Sequence, residues 1–222
     1  MKDYQISFLN LAIESKSLQF GEFTLKSGRS SPYFFNAAKM LSNCSLFELA
    51  QCYVDAINDK GLKFDCIYGP AYKGIFLGSI VATLLSKNGK IYPLSFNRKE
   101  EKDHGEGGNI IGEKPFGDVL IIDDVLSAGT AGRESIETIL NLSASPKAFI
   151  VGLDRQEKGQ SNKSSSQELI DDFDMQVESI VNLETLISFV KDDSKFRDYL
   201  DKLNAYREAS VSYTHLTLPT KA

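Results

Sequence analysis

Val119-Leu120-Ile121-Ile122-Asp123-Asp124-Val125-Leu126-Ser127-Ala128-Gly129-Thr130-Ala131 is the stretch on which the reading of this chain turns. Its four leading apolar residues, three of them β-branched, predict a strand buried on both faces, as a central parallel strand of an α/β sheet requires. Asp123 and Asp124 follow at the strand's C-terminal end. A small-residue segment then leads into a helix expected over 131–142, with Ile136, Ile139 and Leu140 on one face. This order of parts suits a phosphate. Gly129 lets the backbone approach an anion closely, the free amides of the helix's first turn point at it, and Ser127 and Thr130 add hydroxyl donors. The two carboxylates repel phosphate, so they suit sugar hydroxyls, a Mg²⁺ ion, or positive charge developing on a sugar ring. A phosphorylated ribose satisfies both halves. An Asp-Asp pair alone would as readily end a strand, and a lone threonine cap a helix.

Taken whole, the string resembles the phosphoribosyl pyrophosphate (PRPP) signature of type I phosphoribosyltransferases, an apolar run followed by two acids and a short Ala/Gly/Thr loop. That resemblance implies an α/β fold with a doubly wound, mainly parallel sheet. It also implies that residues 123–131, namely Asp123, Asp124, Val125, Leu126, Ser127, Ala128, Gly129, Thr130 and Ala131, bind PRPP.

Composition sets the bounds. With 222 residues, 42% hydrophobic and 25% charged, the chain is long enough for one good core. The formal charge of −5 argues against bulk attraction to nucleic acid or an anionic membrane, so phosphate binding has to be local. Cys44, Cys52 and Cys66 have neither C-x-x-C spacing nor an even count, which removes support for a disulfide framework or zinc site and predicts buried thiols in a reducing compartment. No signal-like leader opens the sequence, and the longest apolar region, Ile75–Leu85, is too short to span a bilayer. A cytoplasmic protein is expected, with no membrane or nucleic-acid partner.

Ile6, Leu9 and Ile13 predict an opening amphipathic helix over 3–17. Two β-like runs, Gln19–Leu25 and Tyr33–Asn36, are joined by a Gly/Ser/Pro turn containing Lys26. These first forty residues lack the βα alternation of the rest and are read as a small hood (1–40) on a core (41–210). The string Phe23-Thr24-Leu25-Lys26-Ser27-Gly28-Arg29-Ser30-Ser31-Pro32-Tyr33-Phe34-Phe35-Asn36 closely resembles the opening motif of the orotate phosphoribosyltransferase family. In that family the lysine and two aromatics meet the pyrimidine and the pyrophosphate. An aromatic face and a cation are what a flat, anionic base needs.

Ser45–Lys60 predicts a second amphipathic helix carrying Leu46, Leu49, Tyr53, Val54 and Ile57, closed by Gly61. A strand at Phe64–Tyr68 runs into Gly69-Pro70-Ala71-Tyr72-Lys73-Gly74 and a helix over Ile75–Lys87. This loop resembles the family's pyrophosphate loop, with Tyr72 and Lys73 at ligand-touching positions. After a strand at Ile91–Phe96, residues 98–109 hold seven charged residues and three glycines, which predicts a mobile loop. Its spacing Arg98-Lys99-x-x-Lys102-x-His104-Gly105 matches the flexible catalytic loop of orotate phosphoribosyltransferases.

Beyond the central motif, a strand over Lys147–Gly152 ends in Leu153-Asp154-Arg155, where the family places its orotate-binding arginine. The fork of Arg155 suits a planar carboxylate. Lys158–Gln167 reads as a polar loop, Met175–Val181 as a last strand, and Leu183–Val190 with Phe196–Arg207 as closing helices. Residues 211–222 break the pattern and are read as a non-native tail, so His215 is not recruited.

The resemblance spans about residues 3–207 in five motifs and implies a single domain (1–210) that transfers phosphoribose from PRPP to orotate, giving orotidine 5′-monophosphate and pyrophosphate. By the same resemblance, Lys102, Asp123, Asp124, Arg98 and His104 are catalytic. Lys26, Tyr72, Lys73, Arg98, Lys99, Lys102 and His104 join residues 123–131 on PRPP, and Phe34, Phe35, Ser127 and Arg155 hold orotate. Mg²⁺ is expected mainly through PRPP, with no direct protein ligand assigned, and the active sites are expected to be shared across a homodimer. Ser127 departs from the family's usual threonine but keeps the hydroxyl. A purine or uracil phosphoribosyltransferase would share the central motif but lack the Lys26/Phe34-Phe35 opening and Arg155. A PRPP-sensing regulator would need a basic nucleic-acid surface that this acidic chain does not advertise.

Overall fold

The computed structural model describes residues 1–25, 28–98 and 109–210, so Lys26, Lys99, Lys102, His104 and the tail lie outside the described residues. The chain opens with helix α1 (Asp3–Glu14) and an antiparallel hairpin, β1 (Leu18–Thr24) and β2 (Ser30–Phe35). A short helix α2 (Met40–Asn43) precedes α3 (Leu46–Asp59). Then come β3 (Cys66–Tyr68), α4 (Lys73–Leu85), β4 (Leu94–Asn97), β5 (Ile110–Gly112) and β6 (Asp118–Leu126). The remainder is α5 (Thr130–Asn141), β7 (Ser145–Asp154), α6 (Ser165–Phe173), β8 (Gln176–Asn182), α7 (Leu183–Asp192) and α8 (Leu200–Ser210).

Six strands form one sheet in the order β5-β4-β3-β6-β7-β8, all parallel except the edge strand β5. From β3 the chain steps outward to β4 and β5, then returns to the other side of β3 and proceeds through β6, β7 and β8. The order therefore reverses between β3 and β6, and in an open α/β sheet that crevice is where ligands bind.

The two-residue period of the strands explains how both faces are covered. Leu120, Ile122, Ala148 and Ile150 belong to a core shared with α1, α3, α4, α7 and α8, whereas Val119, Ile121, Phe149 and Val151 pack with Ile136 and Ile139 of α5 and Leu169 of α6. At the central strand all four residues from Val119 to Ile122 are fully buried, as the run predicts. Among the described residues no helix is long and apolar enough to cross a membrane. Cys52 and Cys66 are buried and Cys44 is half-buried, all three as free thiols.

Several elements differ from expectation. In α1 the buried residues are Tyr4, Phe8, Leu9, Leu11 and Ala12, while Ile6 is exposed, because the helix is wedged against both α3 and the sheet and buries a broader face. Leu46 of α3 and Leu140 of α5 likewise fall outside the buried stripes. Lys158–Gln167 is not wholly loop: the Ser164 hydroxyl accepts from the Gln167 amide and starts α6. Phe196–Arg207 divides into a 3-10 turn at Arg197–Tyr199 followed by α8. The strand expected from Ile91 begins only at Leu94, and β5, absent from the sequence reading, closes a hairpin with it.

The two-stranded sheet β1–β2 stands apart from the six-stranded one. Phe20 packs its ring against Phe196 and Tyr199, and Tyr33 meets Tyr206 edge-on, so the hairpin is buttressed by the C-terminal residues. By contrast α1 belongs to the main core.

Candidate functional site

β6 does not stop at its acidic pair. It continues to Leu126, because Val125 and Leu126 still pair with Leu153 and Asp154 of β7. Asp123 and Asp124 are thus fixed within a strand rather than on a loop. Beyond them Ser127, Ala128, Thr130 and Ala131 are exposed, while Gly129, with φ 80°, occupies the N-cap of α5 and supplies no side chain to cover the helix's first amides. A Cβ at Gly129 would lie 3.3 Å from that of Ser165, whose hydroxyl donates to the Ser127 carbonyl. The exposed loop is therefore held from behind by the first residue of α6.

Across the crevice, the β3–α4 loop comes close to β6. A Cβ on Gly74 would sit 2.8 Å from the Ile122 carbonyl oxygen, and one on Gly69 would sit 2.1 Å from the Gly74 carbonyl oxygen, so both positions demand glycine. The Asn97 side chain, at the end of β4, accepts from the Ala71 amide at 2.8 Å and secures the same loop. This packing delivers Lys73: its Nζ lies 2.7 Å from Oδ2 of Asp124. Tyr72, beside it, is 67% exposed.

Asp124 is buried, and the Tyr53 hydroxyl donates to the Asp123 carbonyl at 2.9 Å beneath the pair. Burial, and next the neighbouring Asp124 carboxyl, push the Asp123 carboxyl up to about 7; Lys73 acts in the opposite direction. The Asp123 carboxyl therefore holds its proton more tightly than an ordinary carboxyl does.

Arg155, expected at a strand end, lies just past β7 and is only 5% exposed. Its Nε donates to Glu157 Oε1 at 2.6 Å, and its Nη2 donates to Ser31 Oγ and Tyr206 Oη, both at 3.0 Å. The guanidinium also stacks 4.2 Å above the Tyr33 ring. Glu157 in turn pairs with Arg29 at 3.0 Å, and the Tyr206 hydroxyl donates to it. Among the described residues three of the five guanidinium N–H groups are thus committed, and the two on Nη1 have no partner there.

Phe34 and Phe35 are both half-buried but face different neighbours. Phe34 pairs with Phe23 at 5.5 Å between ring centroids, and Phe35 with Phe8 at 6.2 Å. Arg98, at the end of β4, donates its backbone amide to the Asn109 carbonyl at 2.7 Å.

The structure therefore brings Lys73, Asp123, Asp124 and the Ser127–Ala131 loop to one crevice, and it ties Arg155 to that loop through backbone. The Arg155 amide donates to the Leu126 carbonyl, and the Ser165 amide to the Glu157 carbonyl. Tyr53, Asn97, Glu157, Ser165 and Tyr206 were missed from the sequence. Only Glu157, two residues from Arg155, carried a local signal.

No protein-family model matches the chain. Curated relatives do: it is 48% identical over 208 residues to "Orotate phosphoribosyltransferase" of Marinobacter nauticus, covering 94% of this chain and 98% of that one. The chain belongs to the orotate phosphoribosyltransferase family. The protein of that name from Laribacter hongkongensis is 45% identical over 207 residues, covering 93% of this chain and 97% of the relative. A crystal structure of orotate phosphoribosyltransferase from Francisella tularensis superposes with a TM-score of 0.80 at 37% identity, covering 92% of this chain and 99% of that one. The family, the mixed and mostly parallel sheet, and the class of glycosyltransferase serving pyrimidine biosynthesis all hold as read from the sequence.

Proposed function

We propose that this orotate phosphoribosyltransferase works through the crevice between β3 and β6. The observation that carries the reading is the Lys73–Asp124 pair, set at 2.7 Å beside an exposed phosphate-type loop at the sheet's reversal point. The bond from ribose C1 to pyrophosphate breaks, a bond from C1 to the orotate ring nitrogen forms, and orotidine 5′-monophosphate and pyrophosphate leave. Cleavage places positive charge on the ribose and negative charge on the leaving group, and the site has fixed groups for each. Asp123 and Asp124 hold the ribose hydroxyls and favour the cation. Residues Val125–Ala131 grip the 5′-phosphate, with Ser127 and Thr130 as hydroxyl donors. Tyr72 and Lys73 meet the pyrophosphate. Lys26, Lys99, Lys102 and His104, together with Arg98, complete the charge balance.

Phe34, Phe35, Ser127 and Arg155 orient orotate. Mg²⁺ would be held mainly through the oxygens of PRPP, with no protein group assigned as its direct ligand, which suits an ion that takes few carboxylates from a protein in phosphate-binding sites. Bound there, it would supply charge neutralisation to the pyrophosphate. The working unit is a homodimer in the cytoplasm, built from a single domain of residues 1–210, with Arg98, Lys102 and His104 serving the neighbouring site and no nucleic acid or membrane involved.

A substrate panel tests this reading. Pyrophosphate is released from Mg²⁺-PRPP when orotate is present, and not with uracil, adenine or hypoxanthine in its place. Equal turnover of uracil and orotate would overturn the base assignment.

A further inference from the structure

Arg155 is held by more than its own strand. Glu157 receives three groups from three parts of the chain: Arg155 Nε beside it, Arg29 from the turn before β2, and the Tyr206 hydroxyl from α8. Tyr206 also accepts from Arg155 Nη2, so the hydroxyl is a bridge between the guanidinium and the carboxylate. Glu157, Tyr206, Ser31 and Tyr33 are 2%, 5%, 1% and 0% exposed. A guanidinium enclosed in this way has one orientation, because its Nε edge is fixed by a carboxylate, both Nη2 protons by hydroxyls, and its plane by an aromatic face.

We propose that Glu157 and Tyr206 are positioning residues for base recognition: they set the plane of Arg155 so that its Nη1 end meets the orotate carboxylate. This rests on the reading of Arg155 as the orotate contact. Neither residue touches the base itself, and each acts through the arginine. The cluster also makes base selection depend on α8 and on the β1–β2 hairpin, two elements outside the six-stranded sheet.

Two variants test the inference, in the full-length enzyme with Mg²⁺-PRPP and orotate. Tyr206→Phe removes one hydroxyl and keeps the ring that packs on Tyr33, so it should fold as wild type. Glu157→Gln keeps the shape and removes the charge. The orotate KM should rise about three- to tenfold for Tyr206→Phe and about tenfold or more for Glu157→Gln, reflecting lost hydrogen bonds to a charged group. The PRPP KM of Tyr206→Phe should stay at the wild-type value, while its melting temperature falls by a few degrees because two buried hydrogen bonds to charged groups are lost. In an Arg155→Ala background, Tyr206→Phe should add nothing further to the orotate KM, since the group it positions is gone.

An orotate KM unchanged in Tyr206→Phe, or one that rises in parallel with the PRPP KM, overturns the inference by leaving the cluster purely structural. The underlying reading fails separately: if Arg155→Ala itself leaves the orotate KM unchanged, Arg155 is not the base contact. Should Glu157→Gln not fold, Tyr206→Phe alone decides between these outcomes.

Discussion

Lys73 Nζ and Asp124 Oδ2 meet at 2.7 Å although 51 residues separate them, the lysine opening α4 and the carboxylate lying inside β6. The Lys73 side chain is 40% exposed and that of Asp124 is 6% exposed, so water still reaches one partner. We predict that Lys73→Ala costs about 1–2 kcal/mol of stability, more than an exposed pair because Asp124 is left buried without its cation, and less than a fully buried one because solvent reaches the lysine side. Its loss of catalysis should be larger, about a hundredfold in kcat/KM for PRPP, because a cation facing the developing pyrophosphate is gone. Thermal melts and steady-state kinetics measure the two separately. A loss of stability matching the loss of activity would mean that the lysine only supports the fold.

The Asp123 carboxyl gives a pH prediction. It binds its proton more tightly in the folded protein than in the unfolded chain, because burial and Asp124 oppose its charge. Its contribution to stability is therefore fully present below about pH 4 and is lost as pH rises through about 7. Asp123→Asn has no such proton, so its melting temperature should gain on that of wild type between about pH 4 and pH 7 and keep a constant offset above that. Catalysis moves in the opposite direction. In the role proposed for Asp123 the ionised carboxylate is the active form, so kcat/KM for PRPP should climb with unit slope up to about pH 7. A flat profile from pH 5.5 to pH 8 would remove Asp123 from the charge balance.

The β3–α4 loop predicts an unequal response to two apparently similar glycine changes. Gly69→Ala puts a Cβ 2.1 Å from a backbone oxygen, which cannot swing aside, whereas Gly89, with φ 82°, has nothing within 4 Å. Gly69→Ala should cost about 3 kcal/mol by overpacking, and Gly89→Ala about 1 kcal/mol for its left-handed backbone. Urea midpoints at unchanged slope test the difference, and equal costs would contradict the close approach.

Sharing of sites across a dimer is tested by mixing inactive variants. Lys102→Ala and Asp124→Asn should each be nearly inactive as homodimers. After random subunit exchange half of the dimers are mixed and one site in each mixed dimer is whole, so roughly a quarter of wild-type activity should return. If a tag confirms exchange and no activity reappears, the loop residue acts in its own subunit.

What could be read from the sequence follows from where the information is stored. The buried run Val119–Ile122 and the small-residue segment after it are local patterns, and the sheet, the crevice and the loop follow from them. The end of β6 was misplaced because Asp123 and Asp124 look like termination, yet the strand continues on hydrogen bonds to β7 that do not depend on side-chain polarity. The start of α6 was hidden because Ser164, Ser165 and Ser166 have loop composition, and all three are buried by their hydrogen bonds. Tyr53 is legible only as part of the apolar face of α3 and Tyr206 only as part of a closing helix, since nothing near either in sequence shows what its hydroxyl reaches. The fork of Arg155 looked available for a two-nitrogen grip on a carboxylate. Its partners Ser31 and Tyr206, 124 and 51 residues away, take part of that capacity.

The bond from Arg155 to Tyr206 also sets an order in time. A chain synthesised from its N-terminus exposes Lys73, Asp124 and the Ser127–Ala131 loop before α8 exists, and the ribosome needs about 3–10 s to add the 51 residues between Arg155 and Tyr206. On the roles proposed above, the groups for the sugar and phosphates are thus present on a nascent chain before the partner that orients Arg155. The setting of the arginine is completed only when the last helix docks.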